Sequence, residues 1–219
     1  MIAPQANAEY VCAMEDVLEL YHEPYDPLRP LICFDEGTKQ LIGETRIPLA
    51  MRPGEPLRYD YEYERHGTCN LFMCFAPLSA WRHVEVTDRR TMIDYAYFMR
   101  ELVDVFFPDS EIIRIVQDNL STHKPAALYE AFEPAEARRI LERLEFHYTP
   151  KHGSWLNMAE IELNVLGSQC LDRRIAEKEL LVTEVAAWEE QRNLSASTVN
   201  WQFTTDDARI KLRKLYPSH

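Results

Sequence analysis

The sequence predicts an α/β fold in which a mixed central sheet is flanked by helices. The chain has 219 residues, a length that suits one globular domain. Short apolar runs of strand length alternate along it with amphipathic segments of helix length. Several period-two segments lie together early in the chain, whereas the later strands are separated by helices. This order of strands, then alternating helices and strands, is typical of a layered fold with a mixed sheet.

The N-terminal segment predicts a lead-in helix and a proline-rich linker. Apolar residues recur at helical spacing over 9–21, and prolines at 24, 27 and 30 end that helix. The first strand, 31–35, is apolar up to a final aspartate. We therefore divide the chain into a lead-in helix and linker at 1–30 and a single domain at 31–219, which includes the C-terminal helices.

Three strands in meander order are expected after the first strand. Tyr59, Tyr61 and Tyr63 alternate with acidic residues, as in a half-exposed strand. An apolar run at 71–76 and an alternating run at 81–87 follow. A row of tyrosines can form a platform on which bases stack, but packing of one aromatic face into the core is the commoner cause and is the interpretation we favour.

The second half of the chain predicts helices that alternate with two further strands. Thr91 and Asp94 form a capping-box pattern at the start of a helix that runs to 107. A strand at 112–118 ends in a second aspartate. Helices at 125–132 and 134–144, a strand at 145–148 and a Gly153-Ser154 loop lead to a helix that contains Glu160.

Three acidic residues follow this pattern of elements. Asp35 and Asp118 end apolar strands, and Glu160 lies on the later helix. Converging buried carboxylates repel each other and need a compensating cation. Mg²⁺ fits, because it prefers carboxylate, water and phosphate oxygens, and His and Cys do not occur at zinc-ligand spacing. Each acid also has a simpler interpretation as a turn residue or a helix N-terminal residue.

The motifs around these acids resemble a known family. They are Cys33-Phe34-Asp35-Glu36, the strand end Gln117-Asp118-Asn119 with His123 close behind, and the run from Tyr148 to Glu160, YTPKHGSWLNMAE. Together they resemble the catalytic domain of DDE transposases, in the mariner-related bacterial branch called the insertion sequence 630 family. The resemblance extends over nearly the whole chain, and the last run is its most specific part.

The resemblance implies a ribonuclease H-like fold and a metal-dependent transposase. Two Mg²⁺ ions, with Mn²⁺ as a substitute, are expected on Asp35, Asp118 and Glu160, where Asp35 bridges both ions. The implied reaction is cleavage of DNA at transposon ends and strand transfer into target DNA. Supporting roles are expected for Asn119, His123 and Asn157. His123 either orients a phosphate or water or is a structural histidine. Asn157 is expected to form a hydrogen bond with the carboxylate or the substrate.

Glu162 is a second candidate for the third acid. Residues two apart on a helix point about 200° away from each other, so Glu160 and Glu162 cannot face the same site. Glu160 shares a face with Asn157 and Asn164, one turn before and one turn after it. We therefore choose Glu160.

The charge balance is unusual for a protein that binds DNA. The chain has 36 acidic and 24 basic residues and a net charge of −12, whereas DNA-binding domains are usually basic. Local basic patches, rather than net charge, contact phosphates. The expected DNA contacts are Lys151, His152, Arg173, Arg174, Lys211, Arg213 and Lys214. An ordinary solvated surface is the alternative for each patch.

Partners and location follow from the same observations. The sequence has no 18-residue apolar run and no signal-peptide pattern, so we expect a cytoplasmic bacterial protein, associated with the nucleoid when active, with no membrane partner. The resemblance implies a homodimer in the active complex with DNA. Only 34 residues precede Asp35, so a separate helix-turn-helix product from an upstream reading frame is a possible partner. Two alternatives remain open: a truncated, non-catalytic transposase fragment that acts by dimerisation or inhibition, and another metal-dependent nuclease.

Overall fold

The computed structural model describes residues 7–56, 58 and 60–217. Twelve main elements are defined there, in chain order: α1 Ala8–Tyr21, β1 Leu31–Glu44, β2 Tyr63–Ala76, β3 Trp81–Thr87, α2 Met92–Glu101, β4 Ile113–Gln117, α3 Ala126–Ala131, α4 Pro134–Leu141, β5 Leu144–Tyr148, α5 Met158–Leu166, α6 Lys178–Leu194 and α7 Thr205–Lys211. Single turns of π-helix extend α2 and α5 at their C-terminal ends. No helix in these described ranges is long and apolar enough to cross a membrane.

The five strands form one mixed sheet in the order β3-β2-β1-β4-β5. β1 pairs antiparallel with β2, and β2 pairs antiparallel with β3. β4 pairs in parallel with both β1 and β5, and helices provide the connections that parallel pairing requires. The predicted α/β class with a mixed central sheet is therefore confirmed.

The predicted meander differs from the observed one in two ways. β1 does not end at Asp35, because it continues to Glu44 as the partner of β2. The segment from Tyr63 onward and the apolar run at 71–76 form one strand, β2, so two meander strands follow β1 instead of three. Backbone hydrogen bonds between β1 and β2 stabilise the polar residues of both strands in the extended conformation. The pairing has one irregularity, near Leu41 and Ile42.

Residues 45–62, here called the distal arm, connect the far ends of β1 and β2. Ile47 is 93% exposed and Tyr61 is 86% exposed, and the ring of Tyr63 at the base of the arm is also exposed. The expectation that the tyrosine row packs into the core is therefore wrong for Tyr61 and Tyr63, while Tyr59 lies outside the described residues. The guanidinium groups of Arg65 and Arg174 lie 5.8 and 5.6 Å from the ring centroid of Tyr63.

Helices cover both faces of the sheet and create two apolar clusters. The cluster on the face of Cys33 includes residues of α1, α5, α6 and α7. The cluster on the face of Phe34 includes residues of α2, α3 and α4. The alternation of side chains along β1 sends these two neighbours to opposite faces. Buried residues of α1 belong to the first cluster, so the segments on either side of our boundary at residue 30 share a core.

Candidate active site

The three acids predicted from the sequence line one open cleft of about 400 Å³. β1 and β4 run in parallel, with Cys33 opposite Val116. Asp35 and Asp118 each lie two residues beyond that pair, so both stand at the same level of the sheet. Glu160 lies in the first turn of α5 and borders the same cleft. Strand register and one helix N-terminus thus bring the three carboxylates together.

Asn157 fixes the start of α5 against β1. Its side-chain oxygen accepts a hydrogen bond from Ala159 N at 3.1 Å, which caps the helix. Its side-chain nitrogen donates to the carbonyl oxygen of Phe34 at 2.8 Å, one residue before Asp35. Asn157 is buried, and its hydrogen bonds differ from the predicted one to the carboxylate. It therefore supports Glu160 through the helix that it caps.

Glu162 points away from the cleft. Its buried carboxylate forms an ion pair with Arg82, whose Nε lies 2.8 Å from Oε1, and it accepts a hydrogen bond from Arg192 Nη2 at 3.0 Å. Glu160 and Asn164 line the cleft on the other side of the helix. Glu160 therefore lies on the cleft side of α5, whereas Glu162 anchors α5 to β3 and α6.

The Asp35 carboxyl group is held where ionisation is unfavourable. Its pKa is raised to about 7, mainly because the group is buried. A hydrogen bond from Glu36 N to Oδ1, at 2.8 Å, opposes this effect. The negative charges of Asp118 and Glu160 raise the pKa further. The three carboxylates therefore repel one another within the cleft.

His123 bridges two acids beside the cleft. Its Nδ1 lies 2.5 Å from Asp118 Oδ1, and its Nε2 lies 3.0 Å from Glu36 Oε2. Burial favours the neutral imidazole, but the two hydrogen bonds outweigh that effect and raise the pKa to about 9. Since carboxylate oxygens only accept, both ring nitrogens carry protons in this arrangement. These contacts match the structural role among those we considered for His123.

Two residues of the site neighbourhood were missed by the sequence reasoning. Glu36 contacts His123, and in the sequence it appeared only as the residue after Asp35 in the first motif. Lys124 donates to the side-chain oxygen of Asn119, and its ammonium group lies 4.8 Å from the ring centroid of Tyr148. The alternation of side chains along β1 is a signal that places Glu36 on the opposite face from Asp35.

A groove continues from the acidic cleft along the loop that precedes α5. Two adjoining clefts of about 390 and 340 Å³ share Lys151 and His152 in their walls, and the nearer one includes Asp118. His152 adopts a left-handed backbone conformation, with φ of 67°. Gly153 follows it in a tight turn, where a Cβ atom would lie 2.6 Å from Pro150 Cγ. This loop therefore places two exposed, predicted DNA contacts next to the acids.

The other predicted DNA contacts do not line the acidic cleft or the adjoining groove. Arg173 pairs with Glu184 at 2.5 Å, and Arg174 pairs with Glu44 at 2.6 Å. The Lys211 ammonium pairs with Asp207 at 2.7 Å on α7. The exposed residues Arg213 and Lys214 lie in the turn after α7. Folding therefore separates these residues from Lys151 and His152.

The donor set suits a hard divalent cation. Three carboxylates face one cleft, and oxygen ligands of this kind are those that Mg²⁺ prefers. A cation would offset the repulsion that raises the pKa of Asp35. Among the described residues, no three His, Cys, Asp or Glu side chains are already grouped tightly enough to hold an ion. Coordination therefore requires the carboxylates to turn toward each other.

Comparisons with solved structures find the same fold in the Mos1 mariner transposase. The paired-end complex with Mn superposes with a TM-score of 0.59 at 14% identity, over 90% of this chain and 61% of that chain. The complex with Mg gives 0.56 at 14% identity, over 100% and 66%. The strand transfer complex gives 0.53 at 13% identity, over 98% and 61%. The ribonuclease H-like fold implied by the sequence is thus confirmed, and this chain spans about two thirds of the length of those chains or slightly less.

Sequence similarity identifies the family independently of the structure. No curated protein sequence matches this chain. The family described as DDE superfamily endonuclease matches residues 30–182, which include Asp35, Asp118 and Glu160 and most of the chain. This match agrees with the resemblance in the sequence motifs and with the structural neighbours. The chain belongs to the DDE superfamily of endonucleases.

Proposed function

We propose that this chain is the catalytic domain of a transposase that cleaves DNA at transposon ends and transfers the strand into target DNA. The observation that carries the proposal is the convergence of Asp35, Asp118 and Glu160 from three elements on one cleft, inside the segment that matches the endonuclease family. The structural neighbours, which are paired-end and strand transfer complexes of the Mos1 transposase, support it.

We infer that Asp35, Asp118 and Glu160 would hold two Mg²⁺ ions, for which Mn²⁺ can substitute, and that Asp35 would serve as a ligand to both. The oxygen donor set and the repulsion that raises the pKa of Asp35 support this inference. The Mos1 complexes named with Mn and with Mg also support it. When bound, such ions lower the pKa of the attacking oxygen and neutralise charge on the leaving oxygen at phosphorus.

The residues of the chain prepare the cleft for this chemistry. Asp35 must be ionised to act as a ligand, and its pKa of about 7 makes protons compete with the cation below neutral pH. Asn157 holds the N-terminal turn of α5, and thereby Glu160, against β1. Lys151 provides a positive group and His152 a hydrogen-bonding group along the groove, where a DNA backbone entering the cleft would lie.

The proposed partners are DNA, as transposon ends and target, and a second copy of this chain in the active complex. We further propose that a helix-turn-helix product of an upstream reading frame recognises the transposon ends. In this proposal the protein is cytoplasmic and associates with the nucleoid when it is active. The paired-end complexes formed by Mos1 support the DNA partner and the dimer.

A nicking and strand-transfer assay in Mn²⁺ tests the proposed function with two glutamate variants. Glu160→Gln should lower the rate by several orders of magnitude, because it removes a proposed metal ligand. Glu162→Gln is the matched control on the same helix. It should keep most of the rate in the folded protein while lowering the free energy of unfolding, because it weakens a buried ion pair with Arg82 and Arg192.

The reverse result would place the catalytic acid at Glu162 and contradict the assigned site. Equal activity of the wild-type chain and of Asp35→Asn, Asp118→Asn and Glu160→Gln would indicate contamination by another nuclease and a non-catalytic role for this chain. Thermal unfolding of every variant, measured beside the assay, separates loss of chemistry from loss of folding.

A further inference from the structure

We propose that Glu36 is a positioning residue that acts through His123 to fix the Asp118 carboxylate for metal binding. The inference rests on the proposed metal site and adds a fourth acid to it. Glu36 Oε2 lies 3.0 Å from His123 Nε2, and the opposite ring nitrogen lies 2.5 Å from Asp118 Oδ1. The contact therefore runs from one acid to the other through a single imidazole ring.

The two faces of β1 explain how neighbouring acids reach the site separately. Asp35 follows the alternation of Cys33 and faces the cluster that includes residues of α5. Glu36 follows Phe34 and faces the opposite cluster, where the His123 ring packs edge-on against the Phe34 ring at 5.1 Å between centroids. Asp35 and Glu36 both border the cleft, and Glu36 contacts Asp118 through the His123 ring.

His123 is built in as a fixed connector. The residue is 1% exposed, and its ring stacks on Tyr95 with centroids 5.0 Å apart. Its carbonyl oxygen accepts from Gln117 Nε2 at 2.9 Å, and Gln117 accepts in turn from the hydroxyl group of Tyr95 at 2.9 Å. Both the ring and the backbone of His123 are therefore held, so a displacement of the ring would be transmitted to Asp118.

Glu36 is itself fixed at its second oxygen. Arg90 Nη1 donates to Glu36 Oε1 at 3.0 Å, and the Glu36 side chain is 7% exposed. The Asp118 side chain, by contrast, is 36% exposed and lies in a loop directly after β4. A ligand in such a position needs an external support to keep one orientation. Hydrogen-bond partners of metal ligands commonly change metal affinity by about 10- to 100-fold when removed.

The experiment measures Mn²⁺ binding to the DNA-free chain, by the electron paramagnetic resonance signal of free aquated Mn²⁺. Glu36→Ala should weaken binding about tenfold or more. Glu36→Gln, which keeps an oxygen that accepts from His123, should recover most of the affinity. Glu189→Gln is the matched control, since Glu189 Oε1 lies 3.1 Å from His83 Nδ1, outside the acidic cleft, and this change should leave binding unaltered.

A double-mutant cycle tests whether the effect passes through His123. In a His123→Asn background, Glu36→Ala should change Mn²⁺ affinity by less than about threefold, well below the effect expected in the wild-type background. If the buried His123 variant does not fold, an Asp118→Asn background serves the same purpose. The proposal is overturned if Glu36→Ala leaves the wild-type affinity unchanged, if Glu36→Gln is as weak as Glu36→Ala, or if the full effect persists in both backgrounds. Absence of Mn²⁺ binding by the wild-type chain would instead overturn the metal site itself.

Discussion

Asp35 combines burial with two neighbouring negative charges, and this makes it the residue most sensitive to pH in the cleft. Its pKa is raised to about 7 from an ordinary value of 3.8. A raised pKa means that the folded chain binds the proton more tightly than the unfolded chain does. The metal-free fold is therefore most stable when Asp35 is protonated, and it loses that advantage as pH rises from about 4 to about 7.

Asp35→Asn should accordingly stabilise the metal-free chain at pH 8 and have little effect at pH 4. The difference corresponds to at most about 4 kcal/mol, because each pKa unit is worth about 1.4 kcal/mol. Thermal unfolding across this pH range, in the presence of a chelator, measures it. Asp104→Asn is a control of opposite sign, since a hydrogen bond from Arg139 lowers the pKa of Asp104. A destabilised Asp35→Asn variant at pH 8 would contradict the burial argument.

The sequence identified the three acids because each follows a recognisable pattern in its own segment. Asp35 and Asp118 follow apolar runs, and Glu160 completes a specific motif. Glu36 was not identified, because its significance depends on His123, a residue from a distant segment that packs on the other face of the sheet. Contacts of this kind follow from three-dimensional packing, which local patterns do not contain.

At the level of secondary structure, the start of α5 connects stability to the site. One side chain, Asn157, caps the helix and satisfies a carbonyl group of β1. Loss of an N-cap costs about 1 kcal/mol, and a buried carbonyl group without a partner costs about 1–3 kcal/mol. The position of Glu160 therefore depends on an interaction that also stabilises the fold.

Asn157→Ala should lower the free energy of unfolding by about 2–4 kcal/mol and reduce the cleavage rate at temperatures where the variant remains folded. Thr204→Ala removes the capping box of α7, and its expected cost is about 1 kcal/mol with an unchanged rate. Denaturant unfolding and the nicking assay give the two quantities. Equal rates for Asn157→Ala and Thr204→Ala would show that α5 holds Glu160 without this cap.

Sequence patterns predicted most elements but not how far the first strands extend. The capping box at Thr91 and Asp94 is observed, and β3, β4 and β5 lie close to their predicted positions. β1 was predicted too short because its residues after Asp35 are mostly polar. Pairing with β2 keeps them extended, and that pairing is a long-range property that hydrophobic periodicity does not report.

Over the whole molecule, folding decides which basic residues can meet DNA at the cleft. Lys151 and His152 are exposed in the groove beside Asp118, whereas Arg173 and Arg174 are engaged in ion pairs elsewhere. A net charge of −12 is therefore compatible with a local positive contact at the site. The sequence predicted the basic residues that are candidates for DNA contact, but only the fold shows that they lie on different surfaces.

Lys151→Ala should weaken binding of duplex DNA and reduce the slope of log K against log salt concentration by about 1. Arg173→Ala should change that slope less, because its guanidinium group is already paired with Glu184. Competition binding at several salt concentrations, with transposon-end and scrambled duplexes, measures both effects. A larger change of slope for Arg173→Ala would move the DNA path to the far side of α5.

The anchoring of α5 has a consequence for the protein during its synthesis. Asp35 and Asp118 leave the ribosome before Glu160, and the ion pair of Glu162 ties α5 to Arg192 near the end of α6. A nascent chain that stops before α6 lacks this anchor, since domains assemble only when their long-range contacts become available. In the proposed enzyme, a polypeptide that ends before α6 would therefore lack part of the support for the helix that carries Glu160.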